Sequence, residues 1–172
     1  MQAFIPYVQA VGRGEKLKRD LTREEAREAM RLMLDGTATP AQIGAFLITQ
    51  RVKGETADEI EGFVEAARTF CQQIRPRVPN LLDLGVPYDG KARTPQFAPA
   101  IALIVAAAGQ PVVLHGAPGV PTKQGVTPAH VLEALGIPAE QAPEAVAHQL
   151  ETLGIGYLHA PRFAPAWHAL TP

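Results

Sequence analysis

The chain carries a marked helix start at Thr39-Pro40-Ala41-Gln42, which opens the apolar run Ile43-Gly44-Ala45-Phe46-Leu47. A threonine followed three residues later by Gln or Glu has the form of a capping box, which satisfies free N–H groups at a helix start. The proline in second place suits the first helical position. The same form recurs at Thr22-x-x-Glu25 and Thr56-x-x-Glu59. This spacing predicts a small helical bundle, preceded by a short helix over residues 2–11.

The proline distribution divides the chain into two pieces. Only two of the 16 prolines fall in residues 1–75, and the other 14 lie in 76–172. Beyond this boundary the candidate strands 81–84, 112–114 and 156–158 alternate with helix-like segments, a pattern typical of a parallel sheet. We therefore predict an α/β protein with two domains. A helical domain over residues 1–75 precedes a partial parallel-sheet α/β domain over residues 76–172.

Composition excludes several classes of protein. The longest apolar run, residues 100–109, is far shorter than the roughly 20 residues of a membrane span, so we expect no membrane insertion. No secretory signal is recognisable at the N-terminus, which favours the cytoplasm. A single cysteine, Cys71, forms no internal disulfide, no Cys/His spacing suits zinc, and the absence of serine excludes a serine nucleophile.

The loops after the predicted strands are the places to look for function, because the carboxyl ends of parallel strands line a binding crevice. Glycines there expose backbone N–H groups to an anion, and nearby cations attract phosphate. An ordinary turn and structural histidines remain open as alternatives, since Pro87 and Pro95 remove N–H donors. The candidate ligand-binding or phosphate-binding residues are Gly85, Asp89, Gly90, Lys91, Arg93, His115, Gly116 and Lys123.

Basic residues suggest a second, overlapping set. A cluster of cations follows the first predicted helix, although acidic residues interrupt it and a solvated segment would look the same. The formal charge of −1 argues against purely electrostatic binding of nucleic acid. The candidate nucleic-acid-binding residues are Arg13, Lys16, Lys18, Arg19, Lys91, Arg93 and Lys123.

Several stretches closely resemble the anthranilate phosphoribosyltransferase family, of the glycosyltransferase family 3 fold. Residues 21–26, 39–47 and 51–56 resemble its N-terminal helical domain, and residues 131–136 and 154–158 resemble its α/β domain. The resemblance implies an α/β domain of the nucleoside phosphorylase/phosphoribosyltransferase type. It also implies dimerisation through the helical part and binding of phosphoribosyl pyrophosphate with magnesium.

The motifs of that family are altered here. Its diphosphate loop, Gly-Thr-Gly-Gly-Asp-Gly, corresponds to residues 85–90, which keep only the ends, and its Asn-x-Ser-Thr stretch corresponds to residues 96–99, which lack hydroxyls. Its His-Gly-Asn-Arg loop corresponds to residues 115–118, which end in Ala117 and Pro118. The sequence stops about halfway through a typical member, so we expect the acidic metal-binding pair to be missing. We therefore predict no catalytic residue and no cofactor, with magnesium only if the protein is a transferase.

The departures themselves resemble a paralogous branch of the fold. The matching stretches are Gly12-Arg13-Gly14, Arg19-Asp20-Leu21, Pro87-Tyr88-Asp89-Gly90, and His115-Gly116 followed by Pro121-Thr122. A characterised member of that branch is a homodimer that binds DNA and RNA without sequence preference. The leading interpretation is therefore a non-catalytic, nucleic-acid-binding homodimer. The alternative is a phosphoribosyl or glycosyl transferase acting on an aromatic amine or other nitrogen acceptor, and a small-molecule-binding or structural dimer also stays open.

Overall fold

A computed structural model of the protein describes residues 2–14, 16–86, 90–119 and 125–170. The chain divides into two compact units, Met1–Cys71 and Gln72–Pro172. The first unit is helical and the second is a parallel sheet with covering helices. The predicted fold class, a helical region followed by an α/β region, is therefore confirmed.

The helical unit is built on the three predicted capping boxes. Thr22, Thr39 and Thr56 each accept a hydrogen bond from the backbone three residues on, and the Glu or Gln at that position reaches back to the threonine N–H. These reciprocal bonds satisfy donors that every helix start leaves free. A 3-10 turn over Gln2–Phe4 comes first. The helices are α1 (Ile5–Gly12), α2 (Arg23–Leu34), α3 (Pro40–Lys53) and α4 (Ala57–Thr69).

A glycine allows two helices of this unit to pack closely. Helix α4 lies so near α2 that a Cβ on Gly62 would collide with the carbonyl oxygen of Arg23 and the amide nitrogen of Arg27. Aromatic rings fill the core elsewhere, with Phe46 5.3 Å from Phe4 and 6.2 Å from Phe63 between ring centroids. The helical unit is therefore held together by close backbone approach as well as by apolar burial.

The second unit holds three parallel strands in the order β1, β2, β3. Helices connect each strand to the next, as parallel pairing requires. The elements are β1 (Leu82–Gly85), α5 (Ala98–Ala107), β2 (Val112–Gly116), α6 (Pro128–Ala134), α7 (Pro143–Leu153), β3 (Ile155–His159), α8 (Ala160–Phe163) and α9 (Pro165–His168).

The strand register assigns side chains to the two faces of the sheet. Leu84, Leu114 and Tyr157 are register partners, so they share one face, where residues of α5 and α6 pack against them. On the opposite face Val113 packs against Val146 and Leu150 of α7 and against Leu158. The sheet is covered on both faces, and its carboxyl edge places Gly85 beside His115 and Gly116 beside His159.

Candidate functional site

Gly85 and His115 form the centre of the carboxyl edge on the α7 face. The two residues are register partners at the ends of β1 and β2. A Cβ on Gly85 would lie 3.0 Å from Cε1 and 3.1 Å from Nε2 of His115. The imidazole therefore occupies the space that any side chain at position 85 would need. Two of the predicted binding residues are in contact here.

The imidazole of His115 is held on two further sides. Its Nε2 lies 2.8 Å from Oδ1 of Asp83, which precedes Gly85 by two residues and so shares its face of the sheet. The ring of Phe163 packs edge-on, with centroids 6.2 Å apart and an interplanar angle of 80°. About a third of the His115 side chain, 31%, stays exposed. The result is an oriented ring that is still open to solvent.

Gly116, Tyr157 and His159 form a buried polar group on the other face. A Cβ on Gly116 would lie 3.5 Å from Oη of Tyr157 and 2.9 Å from the carbonyl oxygen of Val86. Tyr157 Oη and His159 Nδ1 are both buried, and neither has a hydrogen-bond partner in the part of the chain that the structure describes. The side chains of Tyr157 and His159 pack near each other, with ring centroids 6.4 Å apart.

Burial shifts the protonation of both buried rings toward neutrality. Burial raises the pKa of Tyr157, and the nearby charge of Glu133 adds to that rise. Burial lowers the pKa of His159, against an opposing effect of Glu140. Both groups are therefore uncharged at neutral pH, and each offers a hydrogen bond without a charge.

The loop around Gly90 packs closely against the backbone that precedes α6. Gly90 has a φ of +84° and lies so close to Gly125 that a Cβ would collide with the backbone there. Beside it, the N–H of Lys91 donates to Val126 at 2.9 Å, and the N–H of Val126 donates back at 3.0 Å. Arg93 is exposed. Asp89 and Lys123, two of the predicted binding residues, lie outside the described residues.

The cations of the helical unit differ in their surroundings. Arg13 lies 3.4 Å from Oε1 of Gln9, and Lys16 and Lys18 are exposed. Arg19 forms a bidentate ion pair with Glu25, in which its two terminal guanidinium nitrogens donate to the carboxylate oxygens at 2.6 and 2.7 Å. That pair lowers the pKa of Glu25 to about 2, mainly through the hydrogen bonds from Arg19. Arg19 is therefore engaged within its own unit.

Within the described ranges, no group of three or more His, Cys, Asp or Glu side chains could hold a metal ion. The side chain of Gln96, where the family carries its Asn, contacts the backbone of Val126 and Ala98 at 3.4 and 3.3 Å. Nor is any described helix long and apolar enough to cross a membrane. The described residues thus present backbone N–H groups, histidines and a tyrosine rather than a carboxylate cluster.

Two residues of this edge were missed by sequence reasoning. Asp83 was treated only as part of a strand, and Phe163 was not singled out. Alternation along β1 places Asp83 and Gly85 on one face, which is a usable signal. The register that brings this face beside His115 is non-local and cannot be read from either strand alone.

Two family models match the chain. Residues 5–71 match the helical bundle domain of a glycosyl transferase family, and residues 92–172 match its α/β domain. Together the two models cover most of the sequence. The chain belongs to this glycosyl transferase family.

Comparison with individual proteins shows which members of the family the chain resembles. The chain is 43% identical over 145 residues, 84% of its length, to the anthranilate phosphoribosyltransferase of Myxococcus xanthus, of which it covers 42%. It is 37% identical over 172 residues, all of its length, to that of Sinorhizobium medicae, of which it covers 49%. The crystal structure of the enzyme from Thermus thermophilus superposes with a TM-score of 0.80 at 31% identity, covering 98% of this chain and 48% of that one. The chain thus spans about half the length of the relatives it matches, and it is anthranilate phosphoribosyltransferase-like.

Proposed function

We propose that the protein is a glycosyl transferase that moves a phosphoribosyl group to the nitrogen of an aromatic amine or a related acceptor. The observation that carries the proposal is the 43% identity to the Myxococcus xanthus anthranilate phosphoribosyltransferase. The structural likeness to the Thermus thermophilus enzyme, at 31% identity, supports it. The similarity therefore favours the interpretation that the sequence analysis kept as an alternative.

The carboxyl edge of the sheet has features that suit such a transfer. Gly85 makes room for the imidazole of His115, and both residues lie at the carboxyl ends of parallel strands, where such sheets bind ligands. His115 offers a ring nitrogen beside Gly85, and its side chain is partly exposed. A donor phosphate would gain from N–H groups at strand ends and loops, whereas an acceptor nitrogen needs a group that takes up its proton.

The residues after β2 narrow the class of acceptor. Ala117 and Pro118 follow Gly116, so neither of these two positions has a side-chain amide or a guanidinium with which to pair a carboxylate. A site without such donors leaves a buried carboxylate unpaired, which is costly. The proposed acceptor is therefore an aromatic amine without a carboxylate at that position, and anthranilate should be a poor substrate.

Magnesium has no ligand set among the described residues. Mg²⁺ is usually held by carboxylates together with substrate phosphates and water. Asp83, the carboxylate nearest to Gly85 in β1, is already hydrogen-bonded to His115. No step of the proposed reaction is assigned to a metal held by these residues.

The test is release of pyrophosphate from labelled phosphoribosyl pyrophosphate in the presence of a panel of aromatic amines. We expect turnover with an uncharged amine and little with anthranilate. His115→Gln should remove the turnover, while Glu151→Gln, which changes an exposed carboxylate of the same unit, should retain it. Absence of acceptor-dependent turnover across the panel would contradict the proposal.

A second candidate function is sequence-independent binding of nucleic acid. The observation in its favour is that Arg13, Lys16 and Lys18 are exposed, and no ion pair recorded among the described residues engages them. Phosphate contacts of this kind fix position without reading bases. Filter binding at two salt concentrations tests it, because each neutralised phosphate adds a log–log slope of about −0.9 on duplex DNA.

A double variant gives that test a control. Lys16→Ala with Lys18→Ala should weaken binding to all sequences alike and flatten the salt slope. Arg75→Ala removes an exposed cation outside the predicted set and should leave the slope unchanged. No binding at low salt would exclude nucleic acid as the ligand.

We also propose that the protein is a homodimer through its helical unit. Helices α3 and α4 expose large apolar side chains, and Val52 is 76% and Ile48 60% exposed. Exposed apolar clusters of this kind mark interaction surfaces. Sedimentation should give a dimer that Ile48→Lys with Val52→Lys converts to a folded monomer, whereas a monomeric wild-type protein would contradict the proposal.

A further inference from the structure

The pair formed by Asp83 and His115 fixes which nitrogen of the imidazole is free. A carboxylate only accepts hydrogen bonds, so the 2.8 Å contact requires a proton on Nε2 of His115. In the neutral ring the other nitrogen, Nδ1, then carries the lone pair. No hydrogen bond recorded among the described residues engages Nδ1.

Three neighbours restrict the orientation of that ring. Gly85 leaves room for Cε1 and Nε2, which would lie 3.0 and 3.1 Å from a Cβ there, while Nδ1 would be 4.0 Å away. Phe163 packs edge-on at 6.2 Å. Asp83 holds Nε2. Nδ1 is thus the ring nitrogen farther from Gly85, and it is not the nitrogen that Asp83 holds.

We propose that Asp83 is a positioning residue that holds His115 with Nδ1 ready to accept the proton of the acceptor nitrogen. This inference rests on the proposed transfer function. The acceptor nitrogen forms a bond to the anomeric carbon of the phosphoribosyl donor, and the bond from that carbon to the diphosphate oxygen breaks. Pyrophosphate leaves with the bond electrons. The acceptor N–H proton passes to Nδ1, and Asp83 stabilises the resulting imidazolium.

A purely structural role for the pair predicts something different. Asp83 is 66% exposed, and exposed ion pairs contribute little to folding. Replacing Asp83 therefore creates no cavity, and its variants should fold. A loss of turnover in a folded variant would reflect the position and charge of His115 rather than stability.

The first measurement is the tautomer of His115 from ¹⁵N chemical shifts of its imidazole. In the wild-type protein we expect Nε2 protonated and Nδ1 as the acceptor nitrogen in the neutral ring. Asp83→Ala should give a mixture of tautomers. Asp83→Asn keeps an acceptor oxygen and should largely preserve the wild-type form. A tautomer that is the same in Asp83→Ala and in the wild type would overturn the positioning role.

The second measurement is turnover of phosphoribosyl pyrophosphate with the best aromatic amine of the panel. Removal of a general base typically costs a factor of about 10² to 10⁴, so His115→Gln should lower kcat at least about 100-fold. Asp83→Ala should lower kcat about tenfold with the donor KM unchanged, Asp83→Asn should recover part of it, and Glu151→Gln should match wild type.

The two proposals fail in different ways. A wild-type protein without turnover on any amine overturns the transfer function and the proton step together, while the tautomer data still decide whether Asp83 orients the ring. Normal turnover in Asp83→Ala, beside an active wild type, overturns this inference alone.

Discussion

The helical unit pairs its buried charge, whereas the α/β unit leaves two buried rings near the carboxyl edge with a polar atom that no described residue pairs. One buried atom of the helical unit, Gln50 Oε1, also has no partner within the described ranges. In the helical unit, the fully buried Glu59 accepts hydrogen bonds from the N–H groups of Leu21 and Thr56 and from Nζ of Lys53, at 2.8 to 2.9 Å, and one from Gln50 at 3.3 Å. In the α/β unit, Tyr157 Oη and His159 Nδ1 are buried without a partner among the described residues.

This difference indicates that the buried polar groups of the helical unit stabilise its fold, whereas those of the α/β unit are available to a ligand. A buried charge that is fully paired specifies the packing around it, whereas an unpaired buried donor or acceptor costs free energy that packing alone does not recover. Tyr157 and His159 lie toward the carboxyl edge of the sheet, where the family fold places its binding crevice. We infer that the helical unit is optimised for stability and the α/β unit for binding.

The largest expected effect is loss of the Glu59 network. Glu59→Ala leaves Lys53, whose side chain is 4% exposed, without its buried partner. Breaking a buried ion pair from one side costs about 3–5 kcal/mol. Chemical denaturation should show this loss, while Glu55→Ala, which removes an exposed carboxylate nearby, should leave the midpoint almost unchanged. Equal stability of the two variants would show that the Glu59 network does not stabilise the helical unit.

Close helix packing gives the next effect. Gly62→Ala would place a methyl group against the backbone of α2 and should destabilise the protein by about 1–3 kcal/mol. Gly44→Ala is the matched control, since it is also in a helix interior but has nothing within 4 Å of the added Cβ. At position 44 the better helix propensity of alanine should raise the free energy of unfolding by about 0.5–1 kcal/mol. Thermal midpoints that move in the same direction would contradict this account.

At the carboxyl edge, Gly85→Ala should disturb chemistry more than stability. The methyl group would press on the imidazole of His115 at about 3.0 Å and displace it from Asp83. We expect about a tenfold loss of turnover, less than removal of a complete general base, and a thermal midpoint close to wild type. Leu82→Val changes the opposite face of the same strand and serves as control. Full turnover in Gly85→Ala would show that the ring position does not matter.

The smallest expected effect is a loss of folding stability at acidic pH. Hydrogen bonds from Arg19 lower the pKa of Glu25 to about 2, and the pKa of Glu59 is lowered because hydrogen bonds from Leu21, Lys53 and Thr56 outweigh the effect of burial, which raises it. The unfolded chain therefore binds more protons than the folded one as the pH falls below about 4.5. Stability should be fully present above that value and decline toward pH 2.

Thermal unfolding of the wild type and Glu25→Gln across this range checks the sign. The variant should be less stable than the wild type at pH 7, and the difference should shrink toward pH 2. A constant difference from pH 7 to pH 2 would argue against a lowered pKa for Glu25.

The sequence was a good guide wherever the determinants are local. The capping boxes that begin at Thr22, Thr39 and Thr56 each predict a helix start from four consecutive residues, and all three form in the structure. A fourth cap, at the start of α6, uses an unusual residue. His130 is exposed, and its Nδ1 accepts from the N–H of Thr127, a role usually filled by Glu or Gln.

The candidate site was harder to predict because it depends on register. Gly85 and His115 were each singled out, but their contact follows from the pairing of β1 with β2, which neither strand encodes alone. Asp83 was missed for the same reason. The unpaired Tyr157 Oη depends on the surroundings of Gly116, which lies 41 residues earlier in the chain.

The most direct test of the central claim is pyrophosphate release by the wild-type protein and His115→Gln, assayed side by side with phosphoribosyl pyrophosphate and an uncharged aromatic amine. The account predicts acceptor-dependent turnover in the wild type that falls at least about 100-fold in the variant. Turnover that is absent from the wild type, or equal in the two proteins, would contradict it.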